Sequence, residues 1–143
     1  MNQKRVIIES PYAGSNDDVV QRNIKYARRA MNDSLKRGEA PFLSHLLYTQ
    51  VLDDTDPVQR FIGIEAGLSW GEAAEATVVY CDFGISRGME LGIQDAENKG
   101  RPVIKRYIGK NGNRSNYSVF TIFAGFFKRI LNFIRRLPWI KNH

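Results

Sequence analysis

The sequence is poor in cysteine: one of its 143 residues, Cys81, is a cysteine. A single cysteine cannot form an internal disulfide, and motifs that need paired cysteines are excluded as well. This use of cysteine is typical of a reducing compartment, so we expect a cytoplasmic protein. The N-terminal apolar run Val6–Ile8 is too short for the hydrophobic core of a signal peptide, and we expect none.

Acidic residues are absent from residues 111–143, which contain six Lys and Arg. Residues 1–110 contain 15 basic and 15 acidic residues, so their formal charge is zero. The whole net charge of +6 therefore belongs to the C-terminal tail. For this reason the isoelectric point near 9.6 gives no information about the ligand of the main domain. We expect the tail to meet an anionic surface.

A long uncharged apolar run is also missing from the tail. Val119–Leu137 has apolar residues at helical spacing, but four basic residues interrupt it, and each would cost ~2.5–3.5 kcal/mol at the centre of a membrane-spanning helix. Two interpretations stay open. The helix packs on the domain or on a neighbouring subunit, or residues 118–140 lie on a membrane surface. Nucleic acid is disfavoured because the basic residues are few and no recognition motif accompanies them.

Hydrophobic patterning predicts alternating strands and helices in the rest of the chain. Short apolar runs rich in β-branched residues indicate buried strands, and a stripe from Val20 to Leu35 at spacings of 4, 3, 4 and 4 indicates an amphipathic helix. The order predicts an α/β fold, Rossmann-like or flavodoxin-like, with a parallel sheet. The predicted strands are Arg5–Glu9, Pro41–Leu43, Thr77–Cys81 and one from Pro102, and the predicted helices are Val19–Leu35, Val58–Ala74 and Arg87–Asn98.

Three segments follow from this pattern. Residues 1–108 form the predicted domain, and the turn-rich residues 109–117 form a linker. Residues 118–143 form the basic amphipathic tail.

The segment Tyr80–Gly92 has the layout of a ligand-binding corner. A buried strand ends in a loop with Asp82 and Gly84, and Ser86 precedes a helix whose free N–H groups favour an anion. Glu90 lies one turn into this helix. A glutamate at such a position commonly does no more than complement the helix dipole.

The run Gly88-Met89-Glu90-Leu91-Gly92 resembles the nucleophile motif of the nucleoside 2-deoxyribosyltransferase-like superfamily, which includes deoxynucleoside monophosphate N-glycosidases. The helix exit Lys99–Val103 and the opening Tyr12–Gly14 are similar to that family too. The resemblance covers roughly residues 4–107. It implies an N-glycosidase or deoxyribosyltransferase without a metal or cofactor, and it implies a homo-oligomer.

The resemblance also implies roles for individual residues. Glu90 would attack C1′ of a deoxyribosyl group, and a second base or water would resolve the glycosyl ester. Asp82, at the carboxyl end of a parallel strand, is a second catalytic candidate. The predicted substrate-binding residues are Tyr12, Gly14, His45, Glu65, Ser86, Arg87 and Gly88, with Glu72 as an alternative to Glu65.

Two positions differ from the family pattern. Gly84 stands where the transferases have an aspartate. The monophosphate hydrolases have a serine six residues before the nucleophile, whereas Ser86 lies four residues before Glu90. The alternative is therefore a non-catalytic protein that binds a nucleotide or an ADP-ribose-like ligand.

Overall fold

The computed structural model describes residues 2–109. It contains a four-stranded parallel sheet with the strand order β2-β1-β3-β4, which confirms the predicted α/β class. The predicted tail and the linker beyond Gly109 lie outside the described residues. The strands are β1 (Lys4–Glu9), β2 (Glu39–Phe42), β3 (Ala76–Tyr80) and β4 (Val103–Arg106), and the helices are α1 (Asp17–Lys36), α2 (Ser44–Leu47), α3 (Pro57–Trp70) and α4 (Arg87–Asn98).

The two faces of the sheet have different roles because side chains alternate along a strand. Val6 and Ile8 of β1 join Tyr26 and Ala27 of α1 in the main apolar core. Ile7 and Glu9 point to the opposite face, where α3 and α4 lie. Glu9, the last residue of β1, therefore lies beneath α4.

Helix starts agree with the capping residues in the sequence. The Asn16 side chain accepts a hydrogen bond from Val19 N at 3.0 Å, and Ser86 Oγ accepts one from Met89 N at 3.3 Å. The Asp56 carboxylate accepts two, from the first turn of α3. Side-chain oxygens at these positions satisfy helix N–H groups that have no partner within the helix.

The prediction was wrong at β2 and its exit. The strand begins at Glu39, and residues predicted to run into a loop form α2 instead. Leu46 on this short helix packs against the core, and that tertiary contact favours the helix. Helix α3 also ends earlier than predicted, at Trp70, and Gly71–Ala73 continue as a short 3-10 turn.

Among residues 2–109, no helix is both long enough and apolar enough to span a membrane.

Candidate ligand-binding site

A cavity of about 220 Å³ opens where β1 and β2 end, beside the first turns of α4. At the end of β1 the cavity is lined by Glu9 and Ser10, and in the segment after β2 it is lined by Ser44 and His45. Parallel α/β sheets bind ligands at the carboxyl ends of their strands, where the strand order reverses. In the order β2-β1-β3-β4 this point lies between β1 and β3, and the cavity adjoins it at the end of β1 and at the first turn of α4, the helix that follows β3.

The N-terminus of α4 forms one side of the cavity. Ser86, Arg87 and Gly88 line it, and Arg60 reaches the same place from α3. A Cβ built on Gly88 would lie 3.4 Å from a guanidinium nitrogen of Arg60, so this cation lies directly over the first turn. A helix N-terminus carries a partial positive charge, and an arginine beside it adds to a potential that attracts anions.

Most charged side chains of the cavity are paired. Arg60 forms an ion pair with Asp54, and Arg101 forms one with Asp95 at 2.9 Å. Within the described residues, the side chains of Arg87 and Glu9 have neither an ion pair nor a hydrogen bond. Among residues 2–109, the cavity therefore offers a ligand one cation, Arg87, and one carboxyl group, Glu9, that have no partner.

Arg101 holds the floor of the cavity together. It is 9% exposed, and its guanidinium group donates to Thr77 Oγ1, to the carbonyl of Gly71 and to Asp95, each at 2.9 Å. These bonds occupy all three nitrogens. Arg101 therefore has a structural role and ties α4 to β3.

Glu9 is largely buried, and its carboxyl group faces α4 at Gly92. Burial raises the pKa of Glu9 to about 8, although nearby Arg101 lowers it and Asp95 raises it further. No buried side-chain oxygen in the described part lacks a hydrogen bond. The carboxyl oxygens of Glu9 have no such bond, so they must be in contact with the open space of the cavity.

His45 lines the cavity and forms a pair with Ser10. Its Nε2 lies 2.7 Å from Ser10 Oγ, and burial lowers the pKa of the imidazole to about 4. The ring is therefore neutral at physiological pH, with one nitrogen able to donate and one able to accept. The prediction that His45 lies at the site is supported by its position.

The structure does not bring Glu90 into the cavity. Its side chain is exposed, whereas Gly88, Leu91 and Gly92 of the same helix line the cavity. Two residues along an α-helix correspond to a rotation of about 200°, so a helix that presents Gly88 to the cavity turns Glu90 away. Its role as a nucleophile stays a prediction that this geometry does not support.

Asp82 is engaged in structural hydrogen bonds and does not line the cavity. Its carboxylate accepts from Tyr26 Oη at 2.6 Å, from Ile108 N at 2.9 Å and from Gly109 N at 2.7 Å. Burial alone would raise the pKa of Asp82, but these donated hydrogen bonds hold it below its usual value. The carboxylate fixes the chain after β4 to the end of β3.

Gly14 and Glu65 also lie away from the cavity. A Cβ on Gly14 would lie 2.6 Å from Val19 Cγ1, so this glycine allows the loop to approach α1 closely. Glu65 is exposed, as is its alternative Glu72. The remaining predicted residues, Tyr12, His45, Ser86, Arg87 and Gly88, come together around the cavity.

Several residues of the site are not among the predicted site residues. Glu9 is predicted only as the end of a strand, yet an ionisable residue at the carboxyl end of a buried parallel strand is a signal of a site. Arg60 carries no local signal because its position depends on how α3 packs. No group of three or more metal-binding side chains occurs among residues 2–109.

Comparison with known proteins gave one family. A profile described as "Domain of unknown function (DUF7768)" matches residues 4–106, which include every strand and helix described above. No curated protein matches the chain. Because the match covers most of the sequence, the chain belongs to the DUF7768 family.

Proposed function

We propose that the chain binds a nucleoside phosphate, with the phosphate at the N-terminus of α4. The observation that carries this proposal is the unpaired Arg87, which lines the cavity beside Gly88. A guanidinium group and free backbone N–H groups together suit a phosphate dianion, since both donate charge-assisted hydrogen bonds. Arg60, which pairs with Asp54, lies at the same place.

The size and lining of the cavity support a small ligand that is partly enclosed. Its volume of about 220 Å³ is below the range of ~300–1,000 Å³ typical of pockets that enclose drug-sized molecules. A phosphorylated pentose suits this space, and an attached base would reach the opening. Tyr12 and Leu91 supply apolar surface for such a group.

Titration calorimetry with a panel of nucleoside 5′-monophosphates and with inorganic phosphate tests this proposal. Arg87→Gln should weaken nucleotide binding by about tenfold or more, because a hydrogen bond to a charged group contributes roughly 1.5–3 kcal/mol. Arg28→Gln is the matched control, since Arg28 is exposed on α1 and does not line the cavity. Wild-type protein that binds none of these ligands contradicts the proposal.

Cleavage or transfer at the N-glycosidic bond is the second candidate function. The motif around Glu90 suggests it, and the free carboxyl group of Glu9 in the cavity supports it. The proposed reaction releases a free base from a nucleoside or nucleotide, which chromatography detects. If Glu90→Gln leaves the rate of release unchanged, Glu90 is not the nucleophile.

We also propose that the chain forms a homo-oligomer. Helix α3 exposes large apolar side chains, with Val58 at 68%, Phe61 at 61% and Ile62 at 51% exposure. Contiguous exposed apolar surface commonly marks a protein–protein interface. Sedimentation velocity measures the state, and a monomer at tens of micromolar concentration contradicts it.

A further inference from the structure

The free carboxyl group of Glu9 remains without a role in phosphate binding. It lies on the α4 face of the sheet, largely buried and without a hydrogen bond or ion pair among the described residues. Burying a carboxyl group without a partner is costly, and the surrounding residues offer an apolar wall at Ile7 and bare helix backbone at Gly92. Such a group is available for hydrogen bonds to a ligand.

We propose that Glu9 binds the pentose hydroxyls of the ligand and favours ribose over 2-deoxyribose. The inference rests on the proposed nucleoside phosphate binding and deepens it. It assigns to Glu9, at the end of β1, the sugar contact that the sequence motif assigned to Glu90.

The spacing along α4 supports this assignment. The proposed phosphate site is at Gly88, and Glu9 lies against Gly92, four residues further along the helix. Four residues correspond to about 6 Å along the helix axis. In a nucleoside 5′-phosphate, one ester oxygen and one methylene group join the phosphate to the sugar, so the pentose lies within this span.

The chemistry of a carboxyl group suits two neighbouring hydroxyls. Its two oxygens can each bond one hydroxyl of a 2′,3′-diol, and acidic residues bind ribose in this way in dinucleotide-binding folds. The 2-deoxy sugar lacks one of the two hydroxyls and leaves one carboxyl oxygen without a partner. A buried polar group left unpaired costs free energy, and this cost separates the two sugars.

The neighbouring groups leave Glu9 free for this contact. Asp95 and Arg101 are the charged groups that act on it from α4 and from the segment after α4, and they pair with each other at 2.9 Å. His45 from α2 pairs with Ser10, and Arg60 from α3 pairs with Asp54. The described cavity therefore holds no second partner that competes with a sugar hydroxyl for Glu9.

Calorimetric titration of the full chain with ribose 5-phosphate, 2-deoxyribose 5-phosphate and inorganic phosphate tests the proposal. Wild-type protein should bind ribose 5-phosphate about tenfold more tightly than the deoxy sugar. Glu9→Met, which keeps the length of the side chain and removes its polar atoms, should abolish this preference and leave the affinity for phosphate unchanged. The matched control, Glu97→Met, should behave as wild type, because Glu97 is exposed on α4 and does not line the cavity.

The possible results separate the two proposals. If wild-type protein binds neither the three probes nor the nucleoside 5′-monophosphates, the proposed function fails and the role of Glu9 fails with it. If it binds the nucleotides but shows no preference for the ribose form over the 2-deoxyribose form, only the role of Glu9 is overturned. If wild-type protein binds them and Glu9→Met keeps the same preference for ribose, only the role of Glu9 is overturned. Should Glu9→Met fail to fold, as judged by circular dichroism, Glu9→Ala carries the same expectations.

Discussion

The carboxyl group of Glu9 occupies the space that a side chain at position 92 would need. A Cβ built on Gly92 would lie 2.5 Å from Cδ of Glu9, closer than two such carbon atoms can approach. Gly92 is therefore a packing partner of the carboxyl group, and it allows α4 to approach the end of β1. The shape of the cavity depends on this contact.

Gly92→Ala should displace the Glu9 carboxyl group and impair the cavity. The added methyl group needs the space that the Glu9 carboxyl group occupies, and this group is the end of a side chain beside open space, so it can move aside. The preference of a helix for alanine over glycine, ~0.8–1 kcal/mol, offsets the cost of that movement. Urea denaturation should therefore show a midpoint close to that of wild type, whereas nucleotide binding should weaken because Glu9 has left its place in the cavity.

Glu97→Ala provides the control for Gly92→Ala on the same helix. Glu97 is exposed and does not line the cavity, and substitutions at such positions usually change stability by less than ~0.5 kcal/mol. Gly92→Ala protein that binds nucleotides as tightly as wild type would show that the contact between Glu9 and Gly92 is not as close as described.

Glu9 should make stability fall as the pH rises. Its pKa is about 8 in the folded chain against an ordinary 4.5, so the folded state holds a proton that the unfolded state releases. Between these two values the folded state binds more protons, and the free energy of unfolding decreases with pH. Glu9→Gln should remove this decrease, which melting temperatures from pH 5 to pH 9 would reveal.

The free energies of unfolding of Glu9→Gln and of the wild type should differ most at high pH. At pH 9 Glu9→Gln should be the more stable of the two, whereas below pH 4.5 the difference should vanish or reverse. A constant difference across the range would mean that Glu9 is not buried as a neutral acid.

His45 should produce the opposite trend at acidic pH. Burial lowers its pKa from 6.5 to about 4, so the unfolded state binds a proton that the folded state does not. Stability should therefore fall as the pH decreases from 6.5 toward 4. His45→Gln, which can still bond Ser10, should flatten this part of the profile. If the stability of His45→Gln falls with decreasing pH as steeply as that of the wild type, His45 is in contact with water and is not buried.

The sequence was sufficient to predict the fold because its apolar patterns are local. The predicted helix Arg87–Asn98 matches α4 at both ends, and each predicted strand overlaps an observed one. The segment Ser44–Leu47 was not predicted as a helix because it is too short to show a helical period.

The site was harder to predict because it depends on the face of the helix or strand on which each side chain lies. Ser86, Arg87 and Gly88 could be found from the turn before α4, since the start of a helix faces the end of its strand. The position of Glu90 depends on the rotation of α4 about its axis, which the sequence does not give. The packing of Gly92 against Glu9 sets this rotation and turns Glu90 away from the cavity.

Asp82→Asn should destabilise the fold without changing the affinity for the ligand. The carboxylate accepts hydrogen bonds from Tyr26 and from the backbone N–H groups of Ile108 and Gly109. An amide nitrogen cannot accept from an N–H group, so at least one of these bonds is lost, at a cost of roughly 1.5–3 kcal/mol for a bond to a charged acceptor. Chemical denaturation measures this loss.

Tyr26→Phe separates the parts of the Asp82 network. It removes the hydroxyl that bonds Asp82 and keeps the ring that packs at 4.8 Å from Phe83, so it should reproduce part of the loss. Both variants should bind inorganic phosphate and nucleotides as wild type does, provided that they are measured well below their melting temperatures. Asp82→Asn protein that is fully stable yet no longer binds these ligands would instead move Asp82 into the site, as the sequence first suggested.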